Sequence, residues 1–252
     1  MDFETLMVQP EGALMVVRFN RPERRNAINR QMHLEIQAVC RTLADDFETR
    51  VVIFRGEGGF FSSGADTSEW GESASSNELE VRHTSGIGSR TSAAIEGLDQ
   101  ITIAAVEGFA VGGAVVLTAC CDLRVAGESA WFSIPEVDVE MPLTWGALPR
   151  LMRELGPART KELVMTCDRF TSAQALQWGF VNHVYPDDQV VGQARKLADK
   201  LLGKDPLSLA MTKSTTTALA RMMVPDQATH AEREQMLLAY MMRRQRAAPE
   251  KE

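Results

Sequence analysis

Apolar and polar positions alternate on both sides of Glu11-Gly12 in "TLMVQPEGALMVVRFNRPE", the period-two pattern of two strands joined by a turn. The period then changes. Met32, Ile36, Val39 and Leu43 recur at helical spacing, and Asn29 stands where an N-cap belongs, so the spacing predicts a helix after Asn29. "RVVIFRG" is a short continuous apolar run, a buried strand that stops at Gly56. The stretch "GESASSNELEVRHTSGIGSR" has no apolar period and is rich in Ser, Gly and charge. It reads as mobile, a candidate lid.

Further along, "SAAIEGLDQ" reads as helix, "ITIAAVEG" as buried strand, "GGAVVLTACC" as apolar helix, and "DLRVAG" and "AWFSIP" as strands. From "WGALPRLMRELGPARTKELVMT" onward helical patterns dominate. "TSAQALQWG" has Thr171 or Ser172 as cap and Gly179 as stop, and "FVNHVYP" is a short strand. From about Gln189 the pattern is helical to the end. Strands that alternate with helices imply a parallel-type α/β sheet with crossovers, followed by a helical tail.

Composition narrows the function classes. The 252 residues carry a net charge of −7, which argues against non-specific binding to nucleic acid or to an anionic membrane. There is no apolar run of about 18 residues and no signal-like N-terminus, so neither a membrane span nor a membrane partner is expected. Cys40, Cys120, Cys121 and Cys167 show neither C-x-x-C spacing nor a disulfide pattern, so buried thiols in a reducing cytoplasm are expected. His33, His83, His183 and His230 lie far apart, and no metal is assigned. Nucleophile elbow, P-loop and dinucleotide fingerprints do not occur.

Two segments carry the chemistry. "GGFFSSGADTSEW" makes a tight turn at Gly64-Ala65-Asp66. "EGFAVGGAVVLTACCDLRVAGESAWFSIPEVDVE" has a glycine turn opening an apolar helix and then a lone glutamate, Glu136, after a proline. Gly112 and Gly113 allow the backbone to approach a ligand closely, and a helix start offers free N–H groups with a favourable dipole. By themselves these glycines explain a tight, closely packed turn equally well. Two turns with free N–H groups and one carboxylate in apolar company are the parts needed to form an enolate.

"RPERRNAIN", "FFSSGADTSEW", "AAVEGFAVGGAVVLTACCDLRVAGESAWFSIPEVDV", "LPRLMRELGPARTKELVMT" and "ALQWGFVNHVYP" follow one another in the order found in the crotonase superfamily, the enoyl-CoA hydratase/isomerase family, which this chain resembles from about Arg21 to Pro186. The resemblance implies a repeated ββα spiral over residues 1–188. It implies a C-terminal helical segment over 189–252 that makes a homotrimer or a dimer of trimers. It also implies an acyl-CoA substrate, no separate cofactor, and an oxyanion hole from the backbone N–H groups of Ala65 and Gly113. Two such donors are worth roughly 3 kcal/mol each to a developing oxyanion.

Family hydratases use two glutamates, one three residues after the oxyanion-hole glycine and one after the later proline. Glu136 matches the second, but the first position is Val116. A single carboxylate still suffices to move a proton from C2 to C4, so double-bond isomerisation is the favoured chemistry. Hydration by Glu136 with a surrogate acid is the alternative, and a non-catalytic acyl-CoA-binding protein is another. Glu140, where the family commonly has glycine, is the candidate second acid, with a solvated loop carboxylate as the plainer reading. The expected substrate contacts are Arg24, Arg25, Ala27, Ala65, Asp66, Gly112, Val116 and Trp145, the two arginines toward phosphates. Trp145 either belongs to the core or shortens the acyl channel. Lys213 resembles a family lysine near CoA, though a solvated helix face accounts for it too.

Overall fold

The computed structural model describes residues 3–70 and 77–247. The N-terminal hairpin is β1 (Leu6–Glu11) and β2 (Leu14–Phe19), turning through Gly12 at φ +64. Helix α1 (Arg30–Ala44) is capped as its sequence predicts, with the Met32 N–H donating to the Asn29 side chain at 2.9 Å. Met32, Ile36, Val39 and Leu43 form its buried stripe.

After α1 the chain winds as a spiral. Strand β3 (Val51–Gly56) pairs in parallel with β2, and β4 (Ile101–Val106) pairs in parallel with β3. From β4 the chain steps into β5 (Phe109–Val111) and then α4 (Gly113–Ala119). The next turn repeats the step: β6 (Leu123–Gly127) joins the large sheet, and β7 (Trp131–Ser133) lies parallel to β5. Strand β8 (Phe170–Thr171) and strand β9 (His183–Tyr185) complete the two sheets, ordered β1-β2-β3-β4-β6-β9 and β5-β7-β8. From β4 onward each turn thus gives one strand to each sheet. The helices face a core that includes Phe19, Phe54, Phe132, Phe170 and Phe180, all essentially without solvent exposure.

Of the segment read as a lid, the described part is mostly helix. Residues 71–76 lie outside the described residues, but α2 (Glu78–Thr84) follows, capped by Asn77, and α3 begins at Ile87 and runs to Glu96. Local Ser and Gly content loses here to a cap, to the buried Val81, and to an ion pair of Arg82 with Glu234 at 2.6 Å. Helix α3 also starts earlier than "SAAIEGLDQ" suggests.

Helix α5 (Ala147–Thr166) breaks direction at Gly156 (φ +75), followed by Pro157. Helix α6 (Ser172–Gln177) carries a full capping box between Thr171 and Gln174. Helix α7 (Val190–Leu202) buries Val190, Ala194 and Ala198 in a second core against Val51, Ile53, Ile103 and Val125, on the other face of the large sheet. By packing, α7 therefore goes with the sheet, and the helices that stand apart begin at α8 (Pro206–Met223) and end with α9 (Glu232–Ala247). Glu96 ties α8 to α5, pairing with Arg150 and Arg153 of α5 and with Arg221 of α8. Among the described residues no helix is long and apolar enough to cross a membrane, and all four cysteines are buried and free.

Candidate active site

Strand β5 assembles the site. Its parallel register, Val111 beside Ser133, sends the Gly112-Gly113 turn out alongside Pro135-Glu136, and the Gly112 N–H closes the pair on the Ser133 carbonyl at 2.8 Å. On its other side, a bridge of Ala110 to Ser62 brings up the Gly64-Ala65-Asp66 turn. Gly64, at φ +83, faces the Val111 carbonyl so closely that a methyl group would overlap it, with the Gly113 nitrogen 3.4 Å away. The two turns are thus in contact through bare backbone.

The Gly64 turn is fastened from the loop before α1. The Ile28 N–H donates to the Gly64 carbonyl at 2.7 Å, and the Asp66 N–H donates to the Ile28 carbonyl at 3.0 Å. Ser62 Oγ donates to the Asn26 carbonyl and receives the Gly64 N–H. Among the described residues no protein acceptor takes the Ala65 N–H, and none takes the Gly113 N–H. The first N–H of a helix has no partner within the helix.

Ala65, Gly112, Gly113, Glu136 and Trp145 line one cavity of about 120 Å³, with Ser63, Thr67, Val111, Pro135, Val139, Met141, Pro142, Leu143, Thr144 and Met236 as its other walls. Among the described residues, Glu136 is the only lining residue that ionises. Its side chain lies over Gly112, where an added methyl group would stand 2.7 Å from Oε1. The residue as a whole is half-buried, yet Oε2 is shut off from solvent and has no hydrogen-bond partner. Burial pushes the carboxyl up to about 7, against a small lowering by its own N–H. A carboxyl near neutrality, unpaired and facing a cavity, is suited to take and return a proton near pH 7.

The other expected contacts divide. Glu140 is not at the site. Its side chain is 63 % exposed and ion-paired with Arg246 of α9, because a turn at Val137–Glu140 rotates it outward with φ +56. Val116 does not line the cavity; at 1 % exposure it is packed inside α4, one turn behind Gly113. Asp66 is also outside the lining. Burial pushes its carboxyl up, but bonds from Ser68 and from Arg21, the latter at 2.8 Å, hold it below its ordinary value. It stabilises its own turn. Ala27 is buried with its carbonyl accepting from Arg21. Arg24 and Arg25 are exposed, and the Arg25 carbonyl receives the N–H of the lining residue Ser63 at 2.9 Å. Lys213 is half-buried and not free, with Nζ 2.7 Å from Asp122 and 2.8 Å from the Gln100 carbonyl.

Sequence reasoning missed the apolar lid of this cavity, Met141, Leu143 and Met236, and the anchor Glu232. Glu232 opens α9, is nearly buried, and accepts the Gly146 N–H at 2.9 Å. Nothing in the local pattern marks these residues, since their partners are distant in the chain. Among the described residues no three His, Cys, Asp or Glu side chains come together as a metal site.

Comparison with known proteins adds the following. The sequence model of the enoyl-CoA hydratase/isomerase family matches residues 9–248. A crotonyl-CoA hydratase of Syntrophomonas wolfei is 32% identical over 215 residues, covering 85% of this chain and 82% of the relative. A carnitinyl-CoA dehydratase of Salmonella enteritidis is 33% identical over 224 residues, covering 88% of this chain and 84% of that one. The crystal structure of an enoyl-CoA hydratase from Mycobacterium avium subsp. paratuberculosis superposes with a TM-score of 0.85 at 26% identity, covering 95% of each chain.

Proposed function

The chain belongs to the enoyl-CoA hydratase/isomerase family, and we propose that within it the protein converts a 3-enoyl-CoA to the conjugated 2-enoyl-CoA with Glu136 as its single acid–base group. The observation that carries this reading is the solitary, unpartnered Glu136 carboxylate in a cavity with no second acid. The thioester oxygen sits on the free N–H groups of Ala65 and Gly113. Glu136 removes a proton from C2, the electron pair moves into the carbonyl, and the enolate oxygen is held by the two N–H donors. Glu136 then delivers the proton to C4, the double bond settles between C2 and C3, and the carboxylate is regenerated.

Hydration is the second reading, favoured by the names of the relatives. It requires a water held opposite Glu136 by another acid or base. The position where the family supplies one is Val116 here, buried in α4 and outside the cavity lining, and Glu140 faces away. Arg24 and Arg25, both exposed, are the proposed contacts for the CoA phosphates. The proposed assembly is a homotrimer or a dimer of trimers. It is supported by α8, none of whose described side chains is buried and which presents Leu207, Met211, Leu219, Met222 and Met223 to solvent.

Turnover of a four-carbon 3-enoyl-CoA and of its 2-enoyl isomer separates the readings. Isomerisation raises the absorbance of the conjugated thioester; hydration lowers it. We expect the first from the unmodified protein, and Glu136→Gln should reduce it by on the order of 10²–10⁴ while acyl-CoA still binds. Hydration faster than isomerisation would overturn the single-glutamate mechanism.

A further inference from the structure

We propose that Trp145 is the specificity-determining residue of this cavity, a wedge that limits the acyl group to about four to six carbons. The inference rests on the acyl-CoA reading of the site and adds to it the chain length. The indole lies between two helices at positions that only glycine can occupy. A methyl group on Gly113, at the start of α4, would overlap one end of the ring system, and a methyl group on Gly88 of α3 would overlap the other. The ring is therefore in direct contact with the residue whose N–H is to hold the thioester oxygen. Any acyl chain leaving that oxygen has the indole as its neighbour. The space left is about 120 Å³, somewhat less than a cavity that just admits a benzene molecule.

The placement of the ring is over-determined, as expected of a shaped wall. Trp145 adopts φ +66, a left-handed conformation that is rare for a bulky side chain, and Gly146 follows at φ +69. The Glu232 carboxylate of α9 fixes this bend by taking the Gly146 N–H. His33 meets the indole edge-on at 4.6 Å between ring centres and is itself tied to Thr91 of α3 at 2.9 Å. Three elements thus converge to hold a strained residue in the wall of the site.

The test is a chain-length series. For the unmodified protein, W145F and W145A, kcat/KM is measured on four-, six-, eight- and ten-carbon 3-enoyl-CoA. The Kd of the saturated acyl-CoA of each length is measured by calorimetry. From four to eight carbons the unmodified protein should lose about 100-fold or more in kcat/KM. W145A should raise the eight-to-four-carbon ratio by at least about 10-fold, with W145F intermediate. If W145A does not fold, the shift in W145F, which keeps an aromatic ring, decides. Equal handling of four and ten carbons by the unmodified protein, or an unchanged ratio in the variants, overturns the wedge. Binding that is selective for short chains with no turnover of any substrate supports the wedge and sinks the reaction reading. Failure to bind any acyl-CoA sinks both.

Discussion

Glu136→Gln should make the protein more stable at pH 8 while making it inactive. Burial lifts the Glu136 carboxyl from 4.5 to about 7 in the folded state. At 1.36 kcal/mol per pH unit this corresponds to roughly 3 kcal/mol of difference between the two states of protonation. The folded pKa lies above the unfolded one, so between pH 4.5 and 7 the folded protein binds more protons than the unfolded chain. The contribution to stability is therefore complete below the unfolded pKa and is lost as pH rises through the folded one. Glutamine fills the same space and does not titrate, so the other ionisable groups cancel in the comparison. The assay is urea unfolding of both proteins at pH 5 and at pH 8, at one protomer concentration because assembly shifts apparent stability. The two should unfold at similar urea near pH 5. By pH 8 the variant should lead by up to about 3 kcal/mol, or about 2–4 °C in Tm for each kcal/mol. The acid limb of kcat/KM in the unmodified protein should fall near the same pH. A difference between the two proteins that does not change with pH would refute the argument, because a carboxyl with an ordinary pKa costs nothing to ionise.

Two further outcomes are expected. Gly112→Ala places a methyl group 2.7 Å from Glu136 Oε1 at φ +55, ψ −122, so kcat should fall about 100-fold with acyl-CoA affinity within a few-fold, as kinetics and calorimetry would reveal. In light scattering the protein should run as three or six copies of the 27.8 kDa chain, and charges at Met211 and Leu219 should dissociate it; a stable monomer at micromolar concentration would defeat the assembly reading.

What the sequence revealed follows the range of the interactions involved. Helix α1 was legible because its cap and stripe are local: Asn29 lies three residues from the N–H it accepts. Glu136 was legible through its place after a proline in a recognisable order of segments. Strand β5 was not, although it positions everything in the site, because three residues are too few to display a period. Glu140 was open between a second pocket acid, from its distance to Glu136, and a solvated loop carboxylate, and it is the latter. Its direction is set by a left-handed turn and by Arg246, which comes from the far end of the chain. The Ser-rich segment after Trp70 suggested mobility by composition, whereas its described part is held by Asn77 and by Glu234 of α9.

Val116 and Trp145 stood out in the sequence as two separate departures from the family pattern, 29 positions apart. In the fold both lie beside Gly113. Gly113 and Val116 are one turn apart on α4, hence on the same side of that helix, and the indole of Trp145 rests on Gly113. A carboxylate at position 116 alone would be buried with no partner in an apolar core, which is costly for a charge. Loss of the acid and presence of the indole are therefore consistent with each other: Val116 belongs to the apolar core, and the indole covers Gly113 beside it. The opposite wall keeps Glu136 over Gly112 and the free N–H groups of Ala65 and Gly113 beside it. An apolar wall facing a single carboxylate favours a reaction in which one proton leaves carbon and returns to carbon.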